Sequence, residues 1–220
     1  FFRVDMVVIT GEKRYTEAEI REVSGVKDGD NLFLLNKYQV IRNIAEALPY
    51  VELEETRVQR KLPDTLLIEI KECGDPLAWA QDGTVWLVSP GGKIVEQRNT
   101  VGDYPTIDGC RLLAPSVGTL IALDTENDTR WQSLLELLAA LEAADKLGEV
   151  DAIHIGNAAY LTMDYMGRFS VELNYDADFA YKLRTLDAIL ASGKIQENMT
   201  GTFNMRGEDG KTNFIQNSVK

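Results

Sequence analysis

The sequence predicts an α+β protein built from two domains, and three observations indicate this. The chain has 220 residues, more than the roughly 150 of a typical single domain. Its first part follows the order β-α-α-β-β, a small unit whose helices can cover one face of a three-stranded sheet. The rest has many short strands and only two helices, which is typical of a mostly antiparallel β domain. We therefore expect domains at residues 1–72 and 73–220.

The first strand and helix follow from hydrophobic alternation and from a capping pattern. A strand is predicted over residues 4–10. Its alternating apolar residues are Val4, Met6 and Val8. Thr16 and Glu19 have the spacing of a capping box, in which each side chain satisfies an otherwise unpaired amide of the first turn. The helix that begins there is expected to end near Gly25.

The second helix and the two remaining strands of this unit have equally local signals. Asn36 can cap a helix whose apolar residues recur at helical spacing, and Pro49 ends it. Strands are predicted over residues 51–60 and 65–72. One face of the second strand carries Leu66, Ile68 and Ile70.

The second unit begins with a three-stranded meander. Asp82-Gly83 lies between two apolar runs and is a strong hairpin signal, because glycine tolerates positive φ. A looser stretch rich in proline and glycine follows. Beyond it we predict a helix over 129–147, strands over 150–155, 160–164 and 169–173, a helix over 176–192, and a final hairpin of residues 200–206 and 211–216.

The charge balance disfavours two classes of ligand. The chain carries 23 Lys and Arg against 35 Asp and Glu, a formal net charge of −12. Nucleic acids and anionic lipids bind mainly through neutralisation of their phosphates by basic side chains. The overall composition therefore makes both poor default ligands. No stretch approaches the roughly 20 apolar residues that cross a bilayer.

The sequence offers little for catalysis. His154 is the only histidine, so a zinc site with two or three histidines is excluded. Spacing leaves open a nucleophilic pair of Cys110 and His154, although an ordinary histidine on a strand, opposite in direction to its apolar neighbours, is the simpler interpretation. Whether Cys73 and Cys110 form a disulfide is also open.

Three acidic residues have the spacing of a calcium-loop start. Asp124, Glu126 and Asp128 alternate as calcium ligands do, but Thr129 and Leu135 occupy the places of the required glycine and bidentate glutamate. A cluster of carboxylates at a helix N-terminus is the simpler interpretation. We expect no metal, no cofactor and no enzymatic activity.

Short motifs along nearly the whole chain resemble those of one protein family. They lie at residues 8–11, 15–16, 29–32, 48–51, 60–66, 70–78, 105–109 and 182–183. In order and spacing they resemble the FtsQ/DivIB family of bacterial cell-division proteins, with a POTRA domain followed by the family's β domain. Three departures are the intruding Cys73-Gly74, Asn174 in place of glycine, and Asn204 in place of aspartate.

The resemblance implies a non-catalytic scaffold of the division complex, or divisome. Such proteins cross the cell membrane once, and this chain would lie on the extracytoplasmic side, after an anchor that precedes Phe1. Their partners are division proteins of the FtsB/DivIC and FtsL types, through which they influence septum formation. The alternative left open is a POTRA-containing module of a protein secretion or outer-membrane assembly system.

The resemblance also implies a partner-binding site at the last strand, beside which the partner adds a strand. The implied residues are Phe203, Met205, Arg206, Thr212, Asn213, Phe214 and Ile215. A terminal strand offers unpaired backbone groups for such an addition. Phe214 and Ile215 should point to opposite faces, one towards the core. The alternative is that residues 211–216 form an ordinary closing strand, which is protected within the monomer and binds no partner.

Overall fold

The computed structural model describes residues 2–124, 129–207 and 211–217, and the chain divides into two units. The first unit is Phe1–Gly74 and the second is Asp75–Lys220. Each has its own hydrophobic core. The mixed α+β class predicted from the sequence is confirmed.

The first unit has the predicted order of elements. They are β1 (Met6–Thr10), α1 (Glu17–Ser24), α2 (Lys37–Ala47), β2 (Arg57–Lys61) and β3 (Thr65–Glu69). The sheet order is β1-β3-β2, with β1 parallel and β2 antiparallel to the central β3. Both helices contribute buried side chains to the same core as the sheet, so they cover one of its faces.

The helix ends in this unit agree with the sequence signals. The Thr16 side chain accepts from the Glu19 amide at 3.2 Å, and the Glu19 carboxylate accepts from the Thr16 amide at 2.8 Å. Gly25 ends α1 in the left-handed conformation, with φ of 73°. The Asn36 side chain accepts from two amides at the start of α2. Local capping groups and the conformation of Gly25 thus agree with these boundaries.

Two details of the predicted strands are wrong. Ile9 is the buried residue of β1, whereas Met6 is 56% exposed, so the proposed face of Val4, Met6 and Val8 does not exist. Val4 is buried, but it precedes β1. Its amide donates to the Asp30 carbonyl, so its orientation does not follow from the alternation of the strand. The second predicted strand begins at residue 57 rather than 51, because a turn at residues 53–55 separates it from Val51, which forms an isolated bridge with Glu72.

The second unit contains nine strands and two α-helices among its described residues. They are β4 (Leu77–Gln81), β5 (Thr84–Val88), β6 (Ile94–Arg98), β7 (Thr106–Asp108), α3 (Arg130–Ala143), β8 (Val150–His154), β9 (Tyr160–Tyr165), β10 (Phe169–Asn174), α4 (Phe179–Ala191), β11 (Gly201–Asn204) and β12 (Asn213–Gln216). All strands form one sheet in the order β12-β11-β10-β9-β8-β7-β4-β5-β6.

One face of this sheet is covered and the other is open. The buried residues of β9 and β10 pack in one cluster with leucines of α3 and α4. Alternate residues of the same two strands are only partly buried. We call the opposite side the open face; its residues on these strands are Tyr160, Thr162, Asp164, Ser170, Glu172 and Asn174. The unit is therefore a two-layer structure.

The strand β7 was not predicted. It has only three residues and lies between β4 and β8, parallel to both, so its partners are distant in sequence. Gly109 follows it with φ of 100°, and an added Cβ would lie 2.6 Å from the Gly156 Cα. Only glycine allows this close approach of two backbone segments.

Candidate functional site

The candidate site is β12, which forms one edge of the nine-stranded sheet in the part of the chain that the structure describes. It pairs antiparallel with β11, with Phe214 opposite Phe203. The Asn217 amide donates to the Thr200 carbonyl at 2.9 Å, so these two opposed residues are a hydrogen-bonded pair of the β11–β12 ladder. Since bonded and non-bonded pairs alternate, the backbone groups of Phe214 and Gln216 point away from β11. These groups form the outward edge of the sheet.

Phe214 anchors the edge strand to the core. Its ring lies 4.7 Å from that of Phe203 and 6.2 Å from that of Phe169, measured between centroids. An added Cβ on Gly201 would lie 2.8 Å from the Phe214 ring. The aromatic ring therefore covers the glycine at the start of β11, and it holds β12 in register.

Ile215 has the opposite orientation, as the two-residue period of a strand predicts. It is 63% exposed and lies opposite Thr202 on the open face. An aliphatic side chain beside outward backbone groups is suited to a partner strand, which would cover both. Ile215 is thus the apolar contact that the edge offers.

The other predicted site residues divide into two groups. Phe203 and Met205 are 0% and 1% exposed, so they support the site from within the core. Asn213 is exposed and Thr212 is partly buried, beside the outward edge. The structure therefore brings most of the predicted residues to this edge, but only some of them are accessible there, and the Arg206 side chain lies instead against β9 and β10.

Arg206 belongs to a small cluster that sequence reasoning missed. Its Nε lies 3.1 Å from a carboxylate oxygen of Glu172, and its guanidinium lies over the Tyr160 ring at 4.4 Å. Tyr160 and Glu172 share the open face of β9 and β10. Their meeting with Arg206 depends on the parallel pairing of β10 and β11, for which the sequence has no signal.

The exit of β11 is fixed by two side chains from neighbouring elements. The Asn174 amide donates to the Arg206 carbonyl at 2.7 Å, and Lys182 of α4 donates to the Gly207 carbonyl at 2.9 Å. Asn174, noted as a departure from the family pattern, therefore has a structural role here. The backbone that leads towards β12 is held at a defined position.

His154 is engaged by two carboxylates. Its Nδ1 lies 2.9 Å from Asp108 and its Nε2 lies 3.1 Å from Asp164. Partial burial of the ring opposes protonation, but the two carboxylates outweigh it and raise the pKa of His154 above its usual value. Because both ring nitrogens have acidic partners, neither is available to the Cys110 thiol, which donates to the Ile155 carbonyl at 3.6 Å.

No group of three or more metal-ligating side chains that could hold an ion occurs among residues 2–124, 129–207 and 211–217. Glu126 and Asp128, from the proposed calcium pattern, lie outside these ranges. No helix in the described parts of the chain is long and apolar enough to span a membrane.

The chain resembles known proteins in both of its units. Residues 2–72 match the family model described as a POTRA domain of FtsQ type. The cell division protein DivIB of Clostridium botulinum is 22% identical over 218 residues, which cover 98% of this chain and 83% of that protein. The cell division protein FtsQ of Geotalea daltonii is 31% identical over 177 residues, covering 74% and 58% of the two chains.

One solved structure also shows a weak similarity. It is the major extracytoplasmic domain of the cell division protein DivIB from Geobacillus stearothermophilus, in its trans isomer. The TM-score is 0.34 at 17% identity, and the match covers 57% of this chain and 99% of that one.

Proposed function

We propose that the chain belongs to the FtsQ/DivIB family of cell-division proteins and is a non-catalytic scaffold of the bacterial divisome. It binds partners of the FtsB/DivIC and FtsL types during septum formation. In this proposal the chain lies on the extracytoplasmic side of the cell membrane, where a single-pass anchor holds it.

The observation that carries the proposal is the outward edge of β12. The backbone groups of Phe214 and Gln216 point away from β11, and Ile215 is exposed beside them. Main-chain hydrogen bonds supply affinity when an extended segment joins such an edge, and side chains of alternate residues supply specificity. The site residues that contact the partner directly are then Thr212, Asn213 and Ile215, with the backbone of Phe214.

The core residues of the site have a different role in this proposal. Phe203, Met205 and the ring of Phe214 keep β11 and β12 in register, so that the outward backbone groups are presented in a straight row. A preorganised edge lowers the entropic cost of binding an extended segment. These residues support partner binding without contacting the partner through their side chains.

The charge of the C-terminal part favours an acidic partner segment. Residues 182–220 carry six basic and four acidic residues, in a chain whose net charge is −12. Complementary charge mainly accelerates association, and salt screens the effect. We expect the association rate to fall as the salt concentration rises.

The experiment that tests the site replaces single backbone donors at the edge. The purified chain should capture the extracytoplasmic segment of an FtsB/DivIC-type protein. Gln216→Pro removes an amide that points outward, and proline is tolerated on edge strands. We expect at least about tenfold weaker capture, because the variant cannot donate this main-chain hydrogen bond to the partner strand. Gln216→Ala, which keeps the amide, is the matched control.

A second variant separates side-chain from backbone recognition. Ile215→Asp places a charge where the partner would cover an aliphatic side chain, and it should weaken capture without loss of stability because Ile215 is exposed. Phe214→Asp is the less informative variant, because it also disrupts the core. If Gln216→Pro and Ile215→Asp both bind normally, β12 is not the partner site.

The alternative of a secretion or outer-membrane assembly module has no specific support here. It followed from the POTRA fold alone. The matched family model is of FtsQ type, and the DivIB relative is similar along both units.

A further inference from the structure

A second exposed surface lies in the first unit. Four apolar side chains protrude there: Phe2 is 41% exposed, Phe33 55%, Leu34 83% and Tyr38 81%. The rings of Phe2 and Phe33 meet edge to face, with their centroids 5.0 Å apart. We call these four residues the protruding patch. An apolar cluster of this kind on a soluble unit marks a surface for interaction.

The backbone beneath the protruding patch has its polar groups paired internally. The Asn31 side chain accepts from the Phe33 amide at 2.9 Å, and the Asn31 carbonyl accepts from the Leu34 amide at 3.1 Å. Arg60 of β2 donates to the Leu35 carbonyl at 2.9 Å. The loop therefore presents apolar side chains outward from a backbone that needs few hydrogen bonds from solvent. A backbone that enters an apolar medium must meet this condition.

The segment that carries Phe33, Leu34 and Tyr38 is basic between two flanking acidic residues, Asp30 and Glu46. Residues 31–45 contain the bases Lys37 and Arg42 and no acidic residue, although the net charge of the chain is −12. Arg42 lies one turn after Tyr38 on α2, so both are on one side of the helix. Charges beyond about 8 Å are largely screened at physiological salt. The bases near the patch therefore affect a ligand at this surface more than the distant acidic residues do.

We propose that the protruding patch inserts into the headgroup region of an anionic phospholipid surface. Aromatic and aliphatic side chains flanked by Lys and Arg are the combination that this interface favours. Leu34 and Tyr38 project from the molecule instead of lining a pocket, which suits insertion into a fluid surface. Protein hot spots, in contrast, lie mostly in well-packed pockets. The proposal goes beyond partner binding but rests on the proposed location of the chain beside a membrane.

Vesicle flotation tests the proposal directly. The chain is mixed at low ionic strength with millimolar lipid, as vesicles of phosphatidylcholine alone or with an equal part of phosphatidylglycerol. We expect the chain to float with the anionic vesicles and less with the neutral ones, and added salt should weaken the binding. The double variant Leu34→Asp/Tyr38→Asp should lower the partition coefficient at least about tenfold, the effect of losing two inserted side chains.

The control is Leu120→Asp, since Leu120 is an apolar residue of the second unit that is 71% exposed. It should float as the unchanged chain does. Equal flotation of the chain and the double variant, or no flotation on anionic vesicles, overturns the proposal. So does a dimer in sedimentation that the double variant abolishes without any lipid binding, because the patch would then contact a second copy.

This test is independent of the test of partner capture. The double variant leaves β12 unchanged, so it should still capture the FtsB/DivIC-type segment. Loss of flotation with normal capture supports the lipid contact, while failure of capture by the unchanged chain would concern the proposed function alone.

Discussion

The neighbouring residues Phe214 and Ile215 of β12 point to opposite faces of the sheet and have different roles. Phe214 packs against Phe203 and Phe169, while Ile215 projects from the open face. The two-residue period of the strand predicted this division, but it could not say which residue faces inward. That choice depends on the register with β11, which places Phe214 opposite the buried Phe203.

The two residues should therefore differ in their contribution to stability. Phe214→Ala removes a ring from the edge of the core and should lower the free energy of unfolding by about 2 kcal/mol, less than for a fully buried phenylalanine. Ile215→Ala should change it by less than about 0.5 kcal/mol, as exposed substitutions usually do. Urea unfolding of both variants measures the difference. Equal losses would mean that Phe214 does not anchor the strand.

The raised pKa of His154 should make the stability of the chain depend on pH. Its folded-state pKa is raised, so its stabilising contribution is complete below the unfolded value of about 6.5 and is lost as the pH rises through the folded value. The groups facing it are Asp108 of β7 and Asp164 of β9. Because the ring is 37% exposed, solvent screens these pairs and the effect should be small.

Urea unfolding at about pH 6 and about pH 8 measures this contribution. The unchanged chain should lose more stability between the two values than His154→Asn, which has no titrating ring. NMR titration of the His154 ring should give a pKa above that of an exposed histidine. Identical pH dependence in both proteins would contradict the assignment.

Among the elements, the helix starts of the first unit were the most predictable, whereas α3 ends at Ala143 rather than at the predicted residue 147, and the short central strand β7 was missed. The capping box at Thr16 determines the start of α1 through bonds within four residues. In contrast, β7 is a three-residue strand whose β-branched Thr106 and Ile107 are too short a signal by themselves, and its partners β4 and β8 are distant in sequence. Local signals therefore described the first unit better than the middle of the second.

The capping box should make a measurable contribution to the first unit. Thr16→Ala leaves the Glu19 amide without its side-chain acceptor, while the Thr16 amide keeps the Glu19 carboxylate, and it should cost about 1 kcal/mol of stability. Thr16→Ser, which keeps the hydroxyl, is the matched control and should cost much less. Thermal unfolding followed by circular dichroism tests both variants. An unchanged midpoint for Thr16→Ala would show that solvent satisfies the Glu19 amide equally well.

At the scale of the whole molecule, the division into two units agrees with the separate cores of the chain. Val4, Ile20 and Ile68 belong to one core, and Leu138 and Phe203 belong to the other. We propose that the units are independently folding domains that divide near residues 72–75. Residues 1–74 and 75–220, expressed separately, should each unfold cooperatively, and their two transitions together should reproduce the unfolding of the whole chain. A fragment that stays unfolded alone would contradict this proposal.

The candidate site was only partly predictable from the sequence. The resemblance of the motifs pointed to the last strand, and strand period pointed to one exposed apolar residue on it. The sequence could not reveal that Phe203 and Met205 are fully buried, or that Arg206 lies over Tyr160. These features depend on the parallel pairing of β10 with β11, which joins segments separated by a helix.

The central claim is that a partner strand pairs with the outward edge of β12. Amide hydrogen exchange, measured by NMR with and without the FtsB/DivIC-type segment, tests it residue by residue. The amides of Asn213 and Ile215 already point towards β11 and should show some protection in the unbound chain. On binding, the amides of Phe214 and Gln216 should become protected by at least about tenfold. A bound partner that leaves the exchange of Phe214 and Gln216 unchanged would contradict the account.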